Sequence, residues 1–171
     1  MKSQREFELI AMPEAPRLLR FARRLTGDAS AAEDLVQETL LKAWRSFSQF
    51  REGSNIRAWL YQILIHSFYG QGRKIRAAPQ TIPLEDRISA GTPFTHKLEV
   101  AQAMESLPVE YRSTLFLAVV EGFTCREIAE ILSIPIGTVM SRLSRARLAL
   151  REKLAPERGV ATAARGQRDM G

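Results

Sequence analysis

Residues 124–147 read TCREIAEILSIPIGTVMSRLSRAR. The run from Thr124 to Leu132 has a helical pattern. It opens with Thr124-Cys125-Arg126-Glu127, a capping box in which hydroxyl and carboxylate each satisfy one orphan backbone N–H. Ser133-Ile134 then reads as a turn. Pro135 starts a longer helix expected to reach Leu154, before Pro156. A short helix, a tight turn and a longer basic helix is the spacing of a helix-turn-helix. Ala129 is small where two helices must cross closely, and Ile128, Ile131 and Leu132 can face inward. On the longer helix Val139, Leu143, Ala146, Leu150 and Leu154 form one apolar stripe. At about 100° per residue, Thr138, Ser141, Arg142 and Arg145 gather on a different face, and Arg147 and Arg151 flank the far side of the stripe.

These residue types suit DNA. A helix can enter the major groove and present its N-terminal side chains to base edges. Arginine can take guanine O6 and N7 in a bidentate contact, and Ser and Thr can bond bases or phosphate oxygens. The alternative is an ordinary helical hairpin with an exposed basic face. The cap, the small crossing residue and the arginine placement together favour the helix-turn-helix.

The rest of the chain fits a nucleic-acid partner. Its 171 residues carry 25 Lys and Arg against 19 Asp and Glu, a formal charge of +6. The charge is uneven: residues 1–75 are net +4, residues 97–130 net −3 and residues 131–171 net +5. The longest clean apolar run, Leu115 to Val120, has six residues, far short of the ~20 a spanning helix needs. Met1 to Glu8 carry both signs and no apolar stretch, so no secretory signal is expected. Cys125 is the one cysteine, and with His66 and His96 it gives no metal-ligand spacing. No glycine-rich phosphate loop, acid–base carboxylate pair or nucleophile triad is present, so neither an enzyme nor a cofactor is expected.

Working toward the N-terminus, the pattern stays helical and the expected fold class is all-α. One helix is expected from Pro13 to Leu25, stopped by Thr26-Gly27. A second begins at Ser30, where Ser30-Ala31-Ala32-Glu33 reads as a capping box, and carries a core stripe of Val36, Leu40, Ala43, Trp44 and Phe47. After a turn at residues 50–54, a third carries Ile56, Trp59, Leu60, Ile63, Leu64 and Phe68, and fades at Gly70-Gln71-Gly72. Residues 76–95 hold three prolines and read as a flexible linker. Beyond it, helices are expected at 96–106, 108–121, 124–132 and 135–154. The expected organisation is therefore two small helical domains, 6–75 and 96–155, joined by the 76–95 linker, with the helix-turn-helix in the second. Residues 156–171 read as a disordered tail.

With these residues in view, the chain resembles the bacterial extracytoplasmic-function sigma factors of RNA polymerase. In the first lobe the resemblance rests on Leu25-Thr26-Gly27-Asp28, on Ala32 to Thr39 with Ala43-Trp44, and on Arg57 to Leu64. In the second it rests on Leu107-Pro108, Gly122-Phe123-Thr124, Glu127-Ile128-Ala129, Gly137-Thr138-Val139 and Ser141 to Arg147. The resemblance implies that Asp34, Gln37 and Glu38 contact the clamp-helix coiled coil of core RNA polymerase. It places Phe50, Arg51, Ser54, Asn55 and Arg57 near the single strand of the promoter minus-10 element, with Arg73 and Lys74 on duplex phosphates upstream. It gives Thr138, Ser141, Arg142, Ser144 and Arg145 the minus-35 element, with Arg147 on phosphate or on the polymerase flap. The basic run after the third helix, Arg73, Lys74 and Arg76, is thinner than the family pattern.

The implied partners are core RNA polymerase, promoter DNA and an anti-sigma factor. The implied protein is cytoplasmic, not inserted in a membrane, and a monomer when unbound. Two other readings are a sigma mimic that titrates an anti-sigma factor, and an ordinary helix-turn-helix regulator, which predicts a dimer on a palindromic site.

Overall fold

The computed structural model describes residues 3–77 and 95–155, the side chains of 73–77 and 95–98 excepted. The expected linker and the tail at 156–171 fall almost wholly outside the described residues. Every element among the described residues is helical, as the sequence predicts.

The first lobe begins with a helix that periodicity did not reveal, α1, Gln4–Ala11. Ser3 starts it with a capping box: Glu6 Oε2 accepts from the Ser3 N–H at 2.8 Å while Ser3 Oγ accepts from the Glu6 N–H at 3.3 Å. A 3₁₀ turn, Met12–Glu14, leads into α2, Ala15–Thr26. Gly27 closes α2 in the left-handed region, φ 68°, where a side chain is strained. The next residue, Asp28, starts α3, Ala29–Ser46, its carboxylate accepting from the Ala31 N–H at 2.7 Å. The expected cap at Ser30 is thus corrected to Asp28. The reason is geometric: Asp28 leaves the Gly27 turn in extended conformation, which aims a short anionic acceptor at the positive helix end.

On α3 the buried face is Ala32, Leu35, Val36, Thr39 and Ala43. Trp44, expected in that stripe, is 39% exposed and lies against Phe7 of α1, ring centroids 5.4 Å apart. A 3₁₀ turn, Phe47–Gln49, precedes the loop to α4, Ile56–Ala77, which continues past the expected stop at Gly70-Gln71-Gly72. Leu18, Phe21, Leu35, Leu60, Tyr61, Leu64 and Ile65 close the first core and are fully buried.

The second lobe comprises α5, Thr95–Glu105; α6, Val109–Leu115; α7, Cys125–Leu132; and α8, Ile136–Leu154. The helix expected over 108–121 is real but does not stay α-helical. Phe116–Val120 forms a π-helical turn, the Glu121 N–H bonding back to the Phe116 carbonyl at 3.0 Å. Gly122, φ 71°, ends it. The capping box at Thr124 forms as predicted, with Glu127 Oε2 accepting from the Thr124 N–H at 2.8 Å.

The two lobes expected on either side of the linker pack on one another. Helix α4 lies along α7, and α2 meets α6. Phe21 sits edge-on to both Tyr61 of its own lobe, at 5.0 Å, and Phe116 of the other, at 6.5 Å. Tyr61 in turn meets Phe123 at 5.2 Å. An aromatic row therefore runs from one core into the other.

Candidate nucleic-acid interface

The helix-turn-helix is built as its sequence dictates. Ile128, Ile131 and Leu132 of α7 and Val139, Leu143 and Ala146 of α8 are buried. The turn is closed by a bond from the Ile134 N–H to the Ala129 carbonyl at 3.0 Å, with Ser133 in the left-handed region at φ 54°.

Burying one face of α8 sorts the rest. Ser141, Ser144, Arg145 and Arg147 are exposed, whereas Thr138 and Arg142 are half-buried. Thr138, Ser141, Arg142 and Arg145 share the edge toward α6, where Arg145 Nη1 donates to the Tyr111 hydroxyl at 3.4 Å. Arg142 lies near Tyr69 of α4: burial pushes the Tyr69 hydroxyl up, and the Arg142 and Arg112 charges act in the opposite sense. Arg147 is not with this group. With Arg151 it lines a groove beside Cys125, Met140 and Leu143, on the other edge of the helix.

In the first lobe the turn at 50–55 divides. Phe50 is buried, parallel to Phe47 at 6.1 Å and tilted on Trp59 at 5.0 Å, so its ring anchors the turn and is not offered to solvent. Arg51 and Ser54 face solvent. Asn55 caps α4, its Oδ1 accepting from the Ala58 N–H at 3.2 Å, while its Nδ2 donates to Glu127 Oε1 at 3.4 Å. Arg57 points into the seam between the lobes. Its Nη2 donates to the Glu121 carboxylate at 2.8 Å and to the Glu121 carbonyl, and its guanidinium carbon stands 4.5 Å from the Phe123 ring centroid. The Glu14 carboxylate lies 4.0 Å from Arg57 Nε.

Glu121, Glu14, Tyr69 and Tyr111 were not singled out from the sequence, and Phe123 entered only through the resemblance. One signal was present: residues 97–130 carry net −3 beside a first lobe of net +4, an electrostatic invitation for the two to associate.

Family models describe these same two units. Sigma-70 region 2 matches residues 11–77 and Sigma-70 region 4 matches residues 97–150. The chain is 36% identical over 140 residues to the ECF RNA polymerase sigma factor EcfG of Rhodopseudomonas palustris, covering 77% of this chain and 76% of that protein. The chain belongs to the ECF sigma factors. To the ECF RNA polymerase sigma factor SigE of Mycolicibacterium smegmatis it is 34% identical over 151 residues, spanning 58% of that protein's length. Its structure is similar to that of the sigma factor RpoE in complex with the anti-sigma factor NepR from Bartonella quintana. The TM-score there is 0.72 at 32% identity, covering 90% of this chain and 99% of that one.

In this sigma factor the three acidic and amide residues of α3 are not equivalent. Asp34 and Gln37 are exposed. Glu38 is half-buried, paired with Lys42 and accepting from Gln71 of α4. Gln37 borders an open apolar groove lined by Phe7, Met12, Leu40, Leu41 and Trp44. Arg73 and Lys74 lie on the last turns of α4, beyond the described side chains. Among the described residues there is no His/Cys/Asp/Glu group fit for a metal ion, and no helix is long and apolar enough to cross a membrane.

Proposed function

We propose that this ECF sigma factor binds core RNA polymerase, recognises minus-35 and minus-10 promoter elements and starts transcription of a specific set of genes. The observation that carries this is the edge of α8 bearing Thr138, Ser141, Arg142 and Arg145, set on a capped helix-turn-helix behind a region 2 lobe.

Each part of the fold takes one task. The α8 edge enters the major groove of the minus-35 duplex, with Arg142 and Arg145 on base edges and Ser144 and Arg147 toward phosphate. Arg51, Ser54, Asn55 and Arg57 read the minus-10 single strand, where polar turn groups can bond an extruded base. Phe50 supports that turn from below. Arg73 and Lys74 hold duplex phosphates upstream. Asp34 and Gln37 contact the polymerase, with Glu38 bracing α3 against α4.

The chain itself catalyses no covalent step. Binding free energy is coupled to strand separation, and the polymerase makes the RNA. It works in the cytoplasm, and an anti-sigma factor holds it in check. A run-off assay with core polymerase and promoter fragments from its own genome tests the reading. Transcripts with defined starts that depend on the protein support it. No transcript from active core and folded protein would overturn it.

A further inference from the structure

The open face of α8 has two flanks of unlike chemistry. With Val139, Leu143 and Ala146 buried, the opposite pole of its N-terminal half falls on Gly137, Ser141 and Ser144. These residues are small, so the helix backbone can come close to the floor of a groove. On the side toward α6 stand Thr138 and Arg142, both half-buried, and exposed Arg145. On the other side stand Ile136 and Met140, one turn apart and 44% and 55% exposed. One flank thus offers guanidinium donors and the other bare hydrocarbon.

A single exposed apolar side chain is ordinary, and its position is what distinguishes this one. Met140 opens the second turn of α8, where a helix lying in the major groove presents side chains to base edges. It borders a groove that also holds Cys125, Ser144, Arg147 and Arg151. Arg147 and Arg151 follow it two and three turns along the same flank, in place for the phosphates of the strand on that side. That strand's bases then lie under Met140.

Of the groups exposed in the major groove, the thymine C5-methyl is the apolar one. Arginine donors match the N7 and O6 acceptors of guanine and have nothing to offer a methyl. A methionine side chain does: it is long, unbranched, polarisable and adapts its shape to the surface it meets.

We propose that Met140 is a specificity-determining residue of α8, selecting a thymine in the minus-35 element by covering its C5-methyl, with Ile136 extending the apolar flank one turn behind. This rests on the proposed placement of α8 in the minus-35 duplex. Promoter choice is then divided between the flanks: hydrogen bonding on the Arg142 and Arg145 side, burial of a methyl on the Met140 side.

The test uses holoenzyme assembled from the full chain and core polymerase, on a promoter fragment that gives a run-off transcript. Each thymine of the minus-35 region, on either strand, is exchanged in turn for deoxyuridine, which pairs identically and lacks only the methyl. Competition between the two fragments reads their relative binding, and circular dichroism checks that each variant stays helical. The expected result is one thymine at which losing the methyl weakens binding by the parent about fourfold, the worth of one buried carbon. Met140→Ala should bind both fragments alike, and Met140→Leu, which keeps the hydrocarbon, should retain most of the difference. Arg145→Ala should weaken binding to both fragments and leave their ratio unchanged. A parent indifferent to every deoxyuridine, or a methyl effect that survives Met140→Ala, overturns the role of Met140 and leaves the sigma reading standing. No protein-dependent transcript from active core overturns the sigma reading, and the role of Met140 with it.

Discussion

Arg145 of α8 and Tyr111 of α6 are joined by a hydrogen bond of 3.4 Å, guanidinium to phenol oxygen, on the edge of α8 that also carries half-buried Arg142. The contact steadies a long side chain beside Arg142 without burying it. Substituting Arg142 or Arg145 by Ala should weaken binding to a minus-35 duplex by about 1–3 kcal/mol each. Tyr111→Phe keeps the ring and removes a long bond, so it should cost less than about 1 kcal/mol. Anisotropy titrations on duplex DNA would measure all three.

Arg147 stands on the other edge, next to Cys125 and Arg151. Its substitution by Ala should weaken binding to all sequences alike and lower the salt slope of log K by about 1. A selective loss on one promoter sequence would instead move Arg147 among the base-reading residues.

The cap of α7 gives a pH signature. The Thr124 backbone N–H, together with lesser bonds to the Thr124 hydroxyl and Asn55, holds the Glu127 carboxyl below the usual carboxylate range. A lowered value means the ionised form stabilises the fold. That contribution is complete above the ordinary glutamate range and is lost as pH falls through the lowered value. The stability gap between parent and Glu127→Gln should therefore be largest near neutrality and close in acid. Thr124→Ala should cost about 1 kcal/mol at neutral pH. Urea titrations at several pH values would show both.

Ser133 is a non-glycine residue in the left-handed region. An L side chain there carries strain of about 1–2 kcal/mol. Ser133→Gly should raise the thermal midpoint by a few degrees, despite losing the 3.3 Å contact to His66. Ser133→Val should lower it, since a β-branched residue fits that region worst.

Phe21 is fully buried where the two cores meet. Phe21→Ala should cost about 3–5 kcal/mol, through lost burial and the cavity left behind. Leu148, 57% exposed on α8, should tolerate Ala within about 0.5 kcal/mol. Comparing the two separates loss of core from loss of apolar surface.

The elements legible in the sequence were those whose signal is local. The Thr124 box, the Ser133-Ile134 turn and the Val139, Leu143 and Ala146 part of the α8 stripe depend on residues within a turn or two of each other, and they form as read, whereas Leu150 is half-buried and Leu154 at the helix end is exposed. Helix α1 was missed because it is short and buries mainly Phe7 and Ala11, too few for a periodic stripe. Ser30 was read as the cap because its spacing to Glu33 mimics a box, whereas the extended backbone of Asp28 and its bond to the Ala31 N–H show which residue meets the helix end. The resemblance placed Phe50 near the single strand with the rest of its turn, whereas two aromatic neighbours in space, Phe47 and Trp59, pull its ring inward. The seam lay beyond local reading altogether. Arg57 meets Glu121 across 64 positions, and no periodicity reports such a pairing.

The pairing of Arg57 with Glu121 has an evolutionary consequence. The two side chains come from different lobes, and each is the other's partner in a seam that holds little water. Losing one leaves the other charge desolvated and alone, so a change at position 57 penalises the chain until position 121 follows. Paired changes across the seam are the trace such a history would leave.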